Sequence, residues 1–144
     1  MECVYFSLED SMKYQCSIVI NDQIENIANL IINHEQMLKW EQGLVRVDLI
    51  DDHSANLIFM HNGQEVVMKE TIEIILFPNT VAIIYELNGT WNRCINHFSK
   101  LDEGVLWVMD CEFRFKENVD IPIEKFIKKT EASMETFKTF VETR

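Results

Sequence analysis

Glycine and proline are scarce in this chain, four and two among 144 residues, and their scarcity excludes several architectures. A collagen-like repeat, a low-complexity tail and a flexible linker between two domains all need more of both. Positive charge is also short, since 13 Lys and Arg stand against 24 Asp and Glu for a net charge of −11. A protein that grips nucleic acid or docks on anionic lipid through basic side chains is therefore disfavoured. No apolar run approaches the ~18 residues of a membrane span, so membrane insertion is not expected either. Cys3, Cys16, Cys94 and Cys111 are spaced 13, 78 and 17 apart, which fits neither paired zinc ligands nor a redox dithiol, and reduced core thiols are expected. Residues 1–20 hold Glu2, Glu9 and Asp10 and no basic residue before Lys13. No secretory leader is read there, and a cytoplasmic location is expected. The histidines His34, His53, His61 and His97 form no His-Glu-x-x-His motif, and there is neither a Gly-x-Ser-x-Gly elbow nor a phosphate-cradling loop. The sequence thus calls for no metal and no cofactor and names no catalytic residue.

What is present fits one globular domain over residues 1–144, with 47% hydrophobic and 26% charged residues, and a chain of this length buries roughly 68–70% of its unfolded surface. Tyr14, Cys16, Ile18 and Ile20 alternate with polar neighbours, predicting a half-buried strand over Lys13 to Ile20. Asn21-Asp22 can cap a helix carrying Ile24, Ile27, Ala28, Ile31 and Ile32, and a second short helix from His34 to about Glu41 presents Met37, Leu38 and Trp40. From Gly43 the period becomes two. Turn signals at Asp51-Asp52-His53-Ser54, Asn62-Gly63, Pro78-Asn79, Asn88-Gly89 and Asp102-Glu103-Gly104 cut the chain into strands near 44–50, 55–61, 64–77, 80–87, 90–100 and 105–116. Asn88-Gly89-Thr90 also matches a glycosylation acceptor, but it reads better as a turn. After Pro122, Ile123, Ile127, Thr130, Met134, Phe137 and Val141 recur at spacings of three and four, predicting one long amphipathic helix over 122–143.

The order is strand, two short helices, six-stranded meander, long helix. With Trp40 closing the helix pair before Gly43, and the strand from Gly104 to Phe115 preceding the final helix, it resembles the helix-grip fold of the START-like, or SRPBCC, superfamily. The resemblance runs over nearly the whole chain and implies an α+β fold, a seven-stranded antiparallel sheet curved round the long helix. It further implies a cavity between helix and sheet that holds an apolar or lipid-like small molecule. The polyketide cyclase/dehydrase-like and heat-shock-ATPase-activator-like branches imply two other functions, an enzyme and a protein-interaction module. Asp51-Asp52-His53-Ser54 replaces the glycine-rich loop of the birch pollen allergen group, which argues against that subgroup. Self-association into a homodimer is left open.

Parity assigns inward faces: Val66, Met68, Glu70, Ile72, Ile74 and Leu76; Val81, Ile83, Tyr85 and Leu87; Val105, Trp107, Met109, Cys111, Phe113 and Phe115. The strand 90–100 has mixed parity. Its Trp91, Arg93, Ile95 and His97 face is expected to point inward. Trp40, Met68, Tyr85, Trp91, Trp107 and Met109 would then line a ligand pocket, or equally fill a core. Glu70 is the sharpest anomaly, because a carboxylate on an apolar face costs several kcal/mol unless paired or protonated. Arg93 and His97 are its expected partners, and the trio would orient a ligand or act as acid and base; a bulge turning Glu70 outward and a structural ion pair are the alternatives. His34 and His61 are expected on the surface.

Overall fold

The computed structural model describes residues 2–8, 11–117 and 120–144, with side chains from residue 11 onward. In chain order it contains β1 (Glu2–Leu8), β2 (Ser11–Ile20), α1 (Ile24–Ile32), α2 (His34–Trp40), β3 (Leu44–Leu49), β4 (Ser54–His61), β5 (Gln64–Leu76), β6 (Thr80–Leu87), β7 (Thr90–Lys100), β8 (Val105–Phe115) and α3 (Ile123–Thr143). All neighbouring strands are antiparallel, in one sheet of order β1-β2-β8-β7-β6-β5-β4-β3. The seven strands expected from the sequence are β2 to β8, and β1 adds an eighth along the outside of β2.

The hairpins form where asparagine and glycine can take left-handed backbone angles. Asn62 and Gly63 have φ of 50° and 77°, and Asn88 and Gly89 have 43° and 80°, the pattern of a two-residue turn matched to strand twist. Gly104 is required for a second reason. Its φ is +92°, and a Cβ there would stand 2.8 Å from the Ile20 carbonyl oxygen.

The helices all lie on one side of the sheet, and the buried residues there form two clusters. Under α3, Tyr14, Cys16, Ile18 and Ile20 of β2 meet Trp107 and Cys111 of β8 and Met134, Phe137 and Val141 of the helix. Under α2, Met37 packs with Leu44 and Leu57. α3 is pinned to the β2 side along its length: Tyr14 Oη shares a 2.6 Å hydrogen bond with Thr130 Oγ1, Lys138 Nζ donates to the Val19 carbonyl at 2.6 Å, and the Asn21 amide donates to Glu142 Oε2 at 2.8 Å. Trp40 and Tyr85 pack against both clusters and span the seam between them.

Two expectations are corrected. The cysteines are not all reduced: Cys16, on β2, is disulfide-bonded, of which sequence spacing gives no hint. Cys94 and Cys111 are free and buried, their sulfurs 3.7 Å apart. The second correction is the face of β7. Cys94, Asn96 and Phe98 are the buried set, while Trp91, Arg93, Ile95 and His97 lie on the opposite face of the strand. An asparagine is tolerated inside because its amide is fully used: Oδ1 accepts from Trp107 Nε1 at 2.8 Å and Nδ2 donates to the Val81 carbonyl at 3.2 Å, which removes the penalty of burying a polar group.

Phe137 is fully buried and meets Trp40 and Trp107 edge-on, with ring centroids 4.9 and 5.3 Å away. Phe137→Ala is expected to lower unfolding stability by roughly 3–5 kcal/mol. Gly104→Ala should lower it by roughly 1–3 kcal/mol, through backbone strain and the contact with Ile20. Urea unfolding of each variant measures both.

Candidate functional site

Glu70 sits at the seam. Its inward parity holds: the residue is 0% exposed, with Ala55 beside it on β4 and Tyr85 on β6. Ala55 contributes little bulk there. The partner is not the expected one. His34, the first residue of α2, places Nε2 2.6 Å from Glu70 Oε1, its N–H donating to the carboxylate. Asn33 fixes the start of that helix, its side chain accepting from the Gln36 amide at 3.1 Å. The second oxygen of Glu70, Oε2, is buried without a hydrogen-bond partner among the described residues, and so is Trp40 Nε1.

The electrostatics centre on this carboxylate. Its hydrogen bond and charge hold the His34 pKa above the usual histidine value against the opposing effect of burial. Glu41, capping the C-terminus of α2, is pushed up to about 7 by burial first and the Glu70 charge second, with Lys129 of α3 opposing. Burial, followed by the Glu70 charge, keeps the Tyr85 phenol neutral far above its ordinary range. The seam therefore holds a histidine, two carboxylates, a phenol and an indole N–H, with His34 still 24% exposed as its contact with solvent.

Of the residues expected to line a pocket, Trp40, Met68, Glu70, Tyr85, Trp107 and Met109 are on the helix side of the sheet. Trp91, Arg93 and His97 are not. Arg93 pairs with Glu73 at 3.6 Å, His97 with Asp110 at 3.1 Å, and the Arg114 guanidinium lies 5.0 Å over the Trp91 ring. They belong to the outer face because the register pairs Arg93 with Ile84 and Glu112, residues of the solvent parity. Two open concavities, of about 790 and 470 Å³, lie on that outer face, and both are lined in part by Trp91 and Arg114. On the inner side, the Trp40, Phe137 and Trp107 rings fill the space beneath α3.

His34 and Glu41 were missed as site residues, and His34 was expected on the surface. A signal existed in the spacing. Positions 34, 37 and 41 share one helical stripe, and Met37, in its middle, is the buried residue of α2. His61 is exposed, as expected. Among the described residues no group of three or more His, Cys, Asp or Glu side chains is arranged to hold a metal ion.

No protein-family model matches the chain, and neither does any curated protein. Solved structures do match. The structure of Ara h 8.0201 superposes with a TM-score of 0.77 at 10% identity, covering 93% of this chain and 99% of that one. The chain has the helix-grip fold. A second helix-grip structure, an uncharacterised protein from Rhizobium leguminosarum, covers all of both chains with a TM-score of 0.75 at 11% identity. A third, the di-domain ARO/CYC StfQ from the steffimycin biosynthetic pathway, has a TM-score of 0.72 at 8% identity over 94% of this chain and 52% of that one. At these identities the helix-grip architecture is what is shared.

The raised values at His34 and Glu41 give stability a defined pH dependence. For a group whose folded pKa is raised, stability is fully present below the unfolded value and is lost as pH rises through the folded value. For Glu41 the window runs from its ordinary 4.5 to about 7, and for His34 it runs upward from 6.5. Unfolding stability should therefore fall between pH 5.5 and 8.5, by on the order of 2 kcal/mol from Glu41. Glu41→Gln should flatten that slope in urea titrations at the two pH values.

Proposed function

We propose that the protein binds a small, largely apolar molecule on the inner side of the sheet, at the seam between α2 and α3, with Glu70 as the polar anchor. The observation that carries this reading is Glu70 itself, fully buried with one oxygen on His34 and the other without a hydrogen-bond partner among the described residues. Buried polar atoms are almost always satisfied, and a carboxylate oxygen left unmet is costly. Around it, Met68, Tyr85 and Trp40 supply adaptable apolar surface, the lining that small-molecule sites use. The neighbour StfQ, from a biosynthetic pathway, lends support from the fold. Entry runs past His34 and requires the Trp40 ring to move off Phe137.

The cytoplasmic location belongs to the same proposal. The unjoined Cys94 and Cys111 sulfurs fit a reducing compartment and the disulfide of Cys16 fits an oxidising one, so alkylation and mass spectrometry of protein quenched directly from its cell decide it.

An enzyme of the cyclase or dehydrase kind is a second reading, and one observation favours it. Glu41, held near 7, is coupled to the His34–Glu70 pair, so an acid and a base stand together. Turnover of a poly-β-ketone thioester that disappears in Glu41→Gln while binding survives would support the enzyme. The interaction-module reading draws on a different place, the exposed Ile74, Ile75, Leu76 and Phe77 at the end of β5.

The test of binding is titration with the neutral apolar fluorophore N-phenyl-1-naphthylamine, read by its emission and by tryptophan quenching. Saturable one-to-one binding is expected, weakened at least fivefold by Trp40→Ala and unchanged by Trp91→Ala. Absence of saturable binding overturns the proposal, and so does loss of binding in Trp91→Ala, which would put the ligand on the outer face.

A further inference from the structure

The chemistry of the seam selects among small molecules, and an inference about that choice rests on the binding reading above. We infer that the site takes a ligand carrying a protonated amine on an apolar body, the ammonium seated on Glu70 Oε2. Of the two buried atoms without a partner among the described residues, Trp40 Nε1 is a donor and Glu70 Oε2, the charged one, is an acceptor. An ionised carboxylate can only accept hydrogen bonds, so what completes Glu70, its Oε1 already engaged by His34, is a donor. A carboxylate-bearing ligand is excluded, since it would bring a like charge against Glu70 and Glu41.

The charges facing Glu70 narrow the choice from any donor to a cation. From α2 come His34 and Glu41, from β6 the phenol of Tyr85, and from α3 Lys129, which acts on Glu41. The thiols of Cys94 and Cys111 couple to Tyr85 from β7 and β8. Glu41 resists ionisation partly because Glu70 is charged, so the two carboxylates compete for the little positive charge inside. An ammonium group between them relieves that repulsion, which a neutral hydroxyl cannot do. Trp40 and Tyr85, packed on both core clusters, add aromatic faces, and aromatic faces beside a carboxylate are the surroundings that favour an organic cation.

Three probes of one chain length separate the possibilities: n-octylamine, 1-octanol and octanoate, each measured by displacement of N-phenyl-1-naphthylamine from the full chain at pH 7.5. Octylamine is expected to bind at least tenfold more tightly than octanol, as a charge-assisted hydrogen bond requires, and octanoate the most weakly. In Glu70→Gln, checked for folding by circular dichroism, the amine should fall to within threefold of octanol while octanol itself changes less than threefold. Octanol binding with no amine advantage overturns this inference and leaves the seam site standing. An amine advantage that survives in folded Glu70→Gln also overturns it, since attraction to the acidic surface would then explain the preference. If no probe binds, the seam reading fails and this inference with it. Should Glu70→Gln not fold, the ranking in the unmodified protein decides alone, an amine no tighter than the alcohol overturning the inference.

Discussion

The interior is organised by a mismatch of widths. Strands lie about 4.8 Å apart, so eight of them span roughly 35 Å, whereas a helix with its side chains covers about 10–12 Å. α3 cannot cover the inner face alone. Pinned to the β2 side by Tyr14, Lys138 and Glu142, it leaves the β3–β5 side to the short α2, and two hydrophobic clusters result. The boundary between them lets polar chemistry survive inside the protein. Trp40 and Tyr85 bridge it with apolar bodies and polar tips, and Glu70 occupies it.

A carboxylate in that position constrains its neighbours. His34 is drawn from the surface to satisfy one oxygen, Glu41 is held near neutrality in its titration, and the Tyr85 phenol is kept protonated. For Glu41 and Tyr85 burial acts first and the Glu70 charge second, and for His34 the hydrogen bond to Glu70 acts first. The aromatic group made by Trp40, Phe137 and Trp107 stands beside the seam. Stability and acid–base behaviour thereby meet where α2 packs beside α3.

Much of the architecture was legible in the sequence because period and turn chemistry are local properties. The Asn-Gly hairpins, the alternation of β2, β5, β6 and β8 and the spacing of Met134, Phe137 and Val141 all carry their own signatures. Even Glu70 announced itself, by standing on the wrong parity for a charge. Parity failed on β7, where Trp91 and Ile95 outweighed Asn92 and Asn96 in apolar character. The indole N–H of Trp107, eleven residues further along the chain, made an asparagine the better interior residue. Hydrophobicity is read one residue at a time, and the satisfaction of a buried hydrogen bond needs both partners.

The sequence by itself determined which segments are strands and helices, that the strands form a meander with a helix pair inserted after the first long one, and which residue on β5 would be anomalous. Tertiary structure alone decided what that residue meets. Register set Ala55 beside Glu70, and the placement of α2 put His34 on that carboxylate and Glu41 in the field of the same charge. Pairing of β7 between β6 and β8 sent Arg93 and His97 to the outer face, to Glu73 and Asp110. Local pattern is carried by the covalent chain, residue by residue. The partners of a buried charge lie 36 residues away, as His34 does from Glu70, and only the closed fold brings them within a hydrogen bond.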